Sequence, residues 1–198
     1  KENDANQRID KYLKKLLSII FAACLAMPIF ALETPKWMPL TDAGDKGSST
    51  ANLTVADETI GGKAYKGVVT LKGKVTTDFQ YGYAGMMMNN DPTDPVAKAF
   101  VNALRTGKGV RIAISGDGKK YDLRVETSDR PDYCFHLISL QAPKGAVKVY
   151  EIPYSKLTQY SWGVQKKFDQ NKITGLSFQT IGQPISSYEL KVISVELF

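Results

Sequence analysis

From Ala51 to the last residue, short runs of β-branched and aromatic residues recur between turn-forming residues, and this punctuation predicts an antiparallel β-sandwich. The runs are ANLTVA, KGVVTLK, GVRIAIS, KYDLRVET, YCFHLISL, AVKVYEI, ITGLSFQTI and YELKVISVELF. Gly61-Gly62, Gly116-Asp117-Gly118, Pro143-Lys144-Gly145 and Gly182-Gln183-Pro184 stand between them, and all suit tight turns or positive φ. One segment breaks the pattern. At Asp94-Pro95-Val96 through Arg105 an N-capping Asp, a Pro at the first helical position and a following Gly107 predict a single short helix, with Ala97, Phe100, Val101 and Leu104 as its buried stripe. No linker, repeat or low-complexity stretch divides the chain after residue 31, so residues 32–198 read as one domain.

Alternation in KYDLRVET puts Tyr121, Leu123, Val125 and Thr127 on one face, and Asp122, Arg124, Glu126 and Ser128 on the other. The first face is expected in the core and the second in water. Arg124 and Glu126 then have two readings, a solvated cross-strand pair or ligand contacts. Asp132, Tyr133 and His136 follow on what reads as the neighbouring strand, Tyr133 to Leu140.

The N-terminal part has a different character. Lys11 to Ala31 reads KYLKKLLSIIFAACLAMPIFA, lysines first, then an apolar stretch, then small residues, which is the pattern of a secretory signal peptide. Pro28 interrupts the apolar run and argues against a membrane span. Cleavage after Ala31 would release a chain starting at Leu32, although Ile29 is bulky for its position; residues 1–12 read as an extension ahead of the signal, with Leu13 as a candidate start. A secreted, periplasmic or extracellular protein is the expectation. Phe21-Ala22-Ala23-Cys24 offers the alternative of a lipid anchor at Cys24 and an outer-membrane lipoprotein. Cys134 is then the one thiol of the mature domain, flanked by Tyr133 and Phe135 and expected to be buried, and no internal disulfide can form.

Charge excludes little but does exclude nucleic acid as the natural partner. Of 26 basic and 20 acidic residues, residues 1–31 hold five and three, leaving 21 against 17, with no arginine-rich run. His136 is the single histidine, so neither a histidine metal cluster nor a Ser/His/Asp relay with a nucleophile elbow has support, and Gly116-x-Gly118 is followed by a strand rather than by a phosphate-binding helix. A glycosidase needs only two carboxylates, but these usually sit in deep clefts of larger scaffolds. The reading is therefore a binding protein and not an enzyme. Sugar recognition uses flat rings against pyranose C–H faces and planar polar groups against vicinal hydroxyls. Tyr81, Tyr83, Arg124, Glu126, Asp132, Tyr133, His136 and Trp162 are the candidate ligand residues, with Tyr160 a further ring beside Trp162.

The stretches GDGKKYDLRVETSDRPDYCFH, VYEIPYSKLTQYSWG and FDQNKITGLSFQT, together with Asp45-Lys46-Gly47-Ser48-Ser49, Tyr83-Ala84-Gly85 and Tyr188-Glu189-Leu190, resemble family 11-type carbohydrate-binding domains and the related complex I intermediate-associated family. The resemblance runs from Trp37 to Phe198. It implies an all-β jelly-roll sandwich of the galactose-binding-like kind, binding a β-glucan or other plant-type polysaccharide, with Arg124, Tyr133 and His136 on the concave sheet. Its second branch implies a protein-binding, assembly-factor-like role on the same sheet. No cofactor is expected: the structural calcium often found in such domains would draw on an acidic or Asn pair in the last strand, where this chain has Ile193-Ser194. Asn89–Lys108, which includes the helix, is longer than the turn expected between the resembling blocks.

Overall fold

The computed structural model describes residues 32–198; the expected signal peptide, its expected cleavage point and Cys24 lie outside them. Ten strands form two five-stranded antiparallel sheets. The first, ordered β1-β4-β9-β6-β7, contains Trp37–Thr41 (β1), Ala84–Met88 (β4), Lys120–Thr127 (β6), His136–Gln141 (β7) and Ile173–Thr180 (β9). The second, ordered β2-β3-β10-β5-β8, contains Thr50–Ile60 (β2), Lys63–Val75 (β3), Gly109–Gly116 (β5), Lys148–Pro153 (β8) and Ile185–Leu197 (β10). This is the β-sandwich expected from the strand punctuation, in the jelly-roll form that the resemblance implies. Gly61 and Gly62, both at positive φ, make the two-residue turn that joins β2 to β3, a conformation whose right-handed twist matches the flanking strands.

The core lies between the sheets. Leu123, Val125, Leu176 and Phe178 from the first face Leu71, Ile112, Ile114 and Leu190 from the second, all of them out of contact with water. Such alternation specifies register, because a slip of one residue would send every one of these side chains outward. The helix α1, Pro95–Thr106, begins at Asp94, whose carboxylate accepts the Val96 and Ala97 N–H groups. Ala97, Phe100 and Leu104 are buried as expected, while Val101 is only half-buried. The helix closes one end of the sandwich: Arg105 Nε donates to the Ile173 carbonyl and Tyr154 Oη to the Leu104 carbonyl. Among the described residues no helix is long and apolar enough to cross a membrane.

Two strands escape the sequence pattern. WMPLT carries a proline and AGMMM a glycine and three methionines, so neither has strong intrinsic β-propensity; β4 is a strand because β9 offers Met86 and Met87 the partners Phe178 and Ser177, and β1 because β4 then pairs with it from Trp37 to Thr41. In the other direction, the run from Tyr133 yields a strand only from His136. Asp132 Oδ1 accepts the Cys134 N–H and the Tyr133 carbonyl accepts that of Phe135, so the chain turns here before it pairs.

Candidate functional site

The pairing register assigns faces on the first sheet without ambiguity. Tyr121, Leu123 and Val125 of β6 stand opposite Thr180, Phe178 and Leu176 of β9 and point inward; Asp122, Arg124 and Glu126 stand opposite Gln179, Ser177 and Gly175 and point outward. The outward row was expected to be wet. It is not: Asp122 is 3% exposed, Arg124 7% and Ser177 0%.

Two chain segments cover this row. The first runs from Ser128 to Phe135 and brings the Phe135 ring to two guanidinium groups, Arg124 at 4.2 Å and Arg130 at 3.9 Å from its centroid. Arg130 in turn lies 3.7 Å from the Glu126 carboxylate, which also accepts the Ser177 hydroxyl at 2.5 Å. The second segment, a strap from Thr158 to Lys167, brings in Tyr160. Its hydroxyl donates to Asp122 Oδ2 at 2.5 Å and accepts from Arg124 at 3.2 Å, while Ser139 donates to the other Asp122 oxygen. A buried carboxylate and a buried guanidinium are each costly unless paired, and the Tyr160 hydroxyl bridges them. Burial, set against the neighbouring Arg124 cation, leaves the Tyr160 phenol above its ordinary pKa. The hydroxyl therefore keeps its proton at neutral pH and can donate to Asp122.

Outside this network the strap shows aromatic surface. The Trp162 ring lies parallel to Tyr160, centroids 5.1 Å apart and planes at 9°, and is 53% exposed. Tyr133 is 72% exposed, with Arg130 at 5.9 Å from its ring. Asp132 ties the two covering segments together, its carboxylate accepting the N–H groups of Cys134 and Val164, which hold its pKa below the usual carboxylate range. Tyr83, at the far end of the same face, donates to Asp45 at 3.2 Å. Burial and this carboxylate raise its pKa, and the nearby Tyr133 phenol adds to the effect. Tyr81 is exposed and meets Phe79 edge to face.

The structure thus brings Arg124, Glu126, Asp132, Tyr133 and Trp162 to the outer side of one sheet, with Tyr83 at its margin. His136 is placed differently. It pairs with Val125 and so faces inward, edge-on to Phe168, with Nε2 donating to the Lys166 carbonyl at 3.0 Å. The expectation that His136 shares a face with Arg124 is corrected by this register, which starts β7 at His136 itself. Tyr133 stands in the covering segment instead of on a strand, and Tyr81 and Tyr83, expected to share a strand face, both lie in the loop before β4. Cys134 is buried as expected, its sulfur meeting Gln159 and Gln165.

A structural calcium does not fit the residues present. Asp42, the most buried acid, already accepts the Ser49 N–H and hydroxyl and the Tyr83 N–H, and Glu196 pairs with Arg111. Among the described residues no three acidic, His or Cys side chains gather as metal ligands would.

The model of one protein family, complex I intermediate-associated protein 30 (CIA30), matches residues 30–192. The chain belongs to the CIA30 family. A search of curated protein sequences returns no match. Among solved structures, this CIA30-family chain is similar to the solution structure of CtCBM11, at 14% identity over 87% of this chain and 98% of that one, TM-score 0.50. It is similar also to an exo-β-agarase, at 13% identity over 84% of this chain and 24% of the agarase, TM-score 0.51. The family 11 carbohydrate-binding module from Clostridium thermocellum in complex with a β-1,3-1,4-mixed-linked tetrasaccharide aligns at 15% identity over 82% and 88% of the two chains, TM-score 0.49. These likenesses concern the fold.

Asp122, Arg130, Phe135 and Ser177 are missing from the sequence-derived set. Asp122 could have been found, since it shares a strand face with Arg124. Phe135 could not, because its position over Arg124 depends on a turn two residues long.

Proposed function

We propose that the CIA30-family domain is a secreted, non-catalytic glycan-binding module whose ligand rests on the aromatic surface of the strap and on the adjoining Tyr133. The observation that carries this reading is the Trp162 ring, more than half exposed yet held flat on Tyr160, whose hydroxyl is anchored to Asp122 and Arg124. An exposed ring that is already oriented loses little freedom on meeting a pyranose face, so more of the stacking energy appears as affinity. The likeness in fold to CtCBM11 supports a saccharide as the ligand class, and a β-glucan or other plant-type polysaccharide is the first choice to test. The lysine-led apolar segment at residues 11–31 supports export, either by cleavage after Ala31 or with lipid on Cys24. Mass analysis of the exported protein's N-terminus distinguishes these.

The test is affinity electrophoresis of the domain in gels containing β-glucan, xylan or mannan. Wild type should be retarded in at least one and Trp162→Ala much less so. One observation favours a second reading: Tyr133, Trp162 and Val164 are all more than half exposed, and exposed apolar side chains of this kind also suit a protein partner of the assembly type. An unretarded wild type in all three gels would replace the glycan reading with that one.

A further inference from the structure

The strap is closed on itself. Gln159 Oε1 accepts the Lys166 N–H, and Gln165 Nε2 donates to the Tyr160 and Trp162 carbonyls, so residues 159–166 form a compact loop with its ends tied. Its other bonds run to the other covering segment and the start of β7, through Gln159 to the Cys134 carbonyl, Gln159, Gln165 and the Tyr160 carbonyl to the Cys134 sulfur, Asp132 to Val164, His136 to Lys166, and Lys166 to Asp129 at 3.9 Å. At its root, Thr158 and Leu137 exchange backbone hydrogen bonds, which supplies a hinge. Among the described residues the strap reaches the polar row of the sheet through a single side chain, Tyr160.

What Tyr160 meets there is a site with unused capacity. Arg124 is more than nine-tenths buried, its terminal nitrogen bonds the phenol, and its Nε has no partner. A buried guanidinium normally engages its partner with two parallel N–H groups. The phenol oxygen donates to a carboxylate and accepts from a guanidinium, which are the two roles one hydroxyl of a vicinal diol would play, while the second hydroxyl of that diol would satisfy Nε.

We infer that Tyr160 is a latch: its phenol holds the place over Asp122 and Arg124 that a vicinal diol of the glycan takes when the strap lifts about Thr158. This rests on the glycan reading and goes beyond it. The exposed Trp162 and Tyr133 make first contact, and the buried row, closed in the free protein, supplies orientation once the latch is released. A ligand without vicinal hydroxyls gains nothing from opening, so the latch selects for the diol.

Tyr160→Phe in the full chain tests this, because it keeps the ring against Trp162 and removes only the hydroxyl. Hydrogen exchange of amides 159–166 should accelerate while the core strands stay protected. Retardation in β-glucan should strengthen by about tenfold, since a hydrogen bond to a charged group holding the strap closed is worth at least about one decade in an equilibrium. Asp122→Asn should also speed exchange in the strap but weaken retardation, because it removes the charge, and one of the two acceptor oxygens, on which both the latch and the ligand's hydroxyl depend. Unchanged exchange in Tyr160→Phe overturns the latch whatever the gels show. Faster exchange with equal or weaker retardation, in gels where wild type binds, overturns the latch and leaves the glycan reading standing. No retardation of the wild type in any gel overturns the glycan reading and the latch with it.

Discussion

Replacing Tyr133 with alanine separates a surface ring that binds from a core ring that folds. Tyrosine buries about 150–250 Å² when fully enclosed, and Tyr133, being 72% exposed, keeps covered roughly a quarter of that, or about 50 Å². At about 25 cal/mol per Å² the loss is about 1.3 kcal/mol, and the Arg130 guanidinium at 5.9 Å adds about 0.5 kcal/mol. A stability loss of about 2 kcal/mol corresponds to a fall in Tm of about 4–8 °C for a domain of this size. A core aromatic would lose about 3–5 kcal/mol instead. Binding should weaken by about three- to tenfold, the equivalent of one stacking contact of about 0.5–1.5 kcal/mol. A thermal melt beside affinity electrophoresis in β-glucan measures both quantities on the same protein. A fall in Tm beyond about 10 °C would refute the placement of Tyr133 outside the core. Undiminished retardation at an unchanged Tm would refute its part in the site.

Phe178→Ala, which empties the centre of the core, should cost about 3–5 kcal/mol and abolish cooperative melting or nearly so, as read by circular dichroism. Asp117 binds Lys119, the Tyr121 hydroxyl and the Glu189 N–H, and although its burial opposes ionisation, these donors hold its pKa below the ordinary 3.8. Its stabilisation is present above that value and lost as the pH falls through the lower folded-state pKa, so Asp117→Asn should flatten the dependence of Tm on pH at the acid end. Because Asp42 is supplied with protein donors, excess chelator should leave the wild-type Tm within about 1 °C, and a sharp drop would reveal a metal ion the residues do not suggest.

The architecture was legible because it rests on local rules. Period-two runs, glycine pairs at positive φ and the Asp94-Pro95 cap each act within a few residues, and each reappears as a strand, a turn or the helix start. The weak strands β1 and β4 were not legible, since their pairing depends on β9, some 90 residues beyond β4. Aromatic and arginine composition drew attention to Arg124, Tyr133 and Trp162, but it could not say which rings face water and which side of β7 presents His136.

The sequence by itself determined which face of each main strand enters the core, because burying Leu123, Val125 and Phe178 together dominates every alternative register. Only the tertiary structure decided the fate of the opposite face. Alternation says that Asp122 and Arg124 point away from the core, and it treats "away from the core" as water. Here the loop that joins β6 to β7 and a strap that begins some 20 residues after β7 fold back over that row and close it with the Phe135 ring and one phenol hydroxyl. Such cover depends on where irregular segments land, and no periodicity encodes that; the charges beneath could accept it because a carboxylate, a guanidinium and a hydroxyl within hydrogen-bond reach satisfy one another as water would have done.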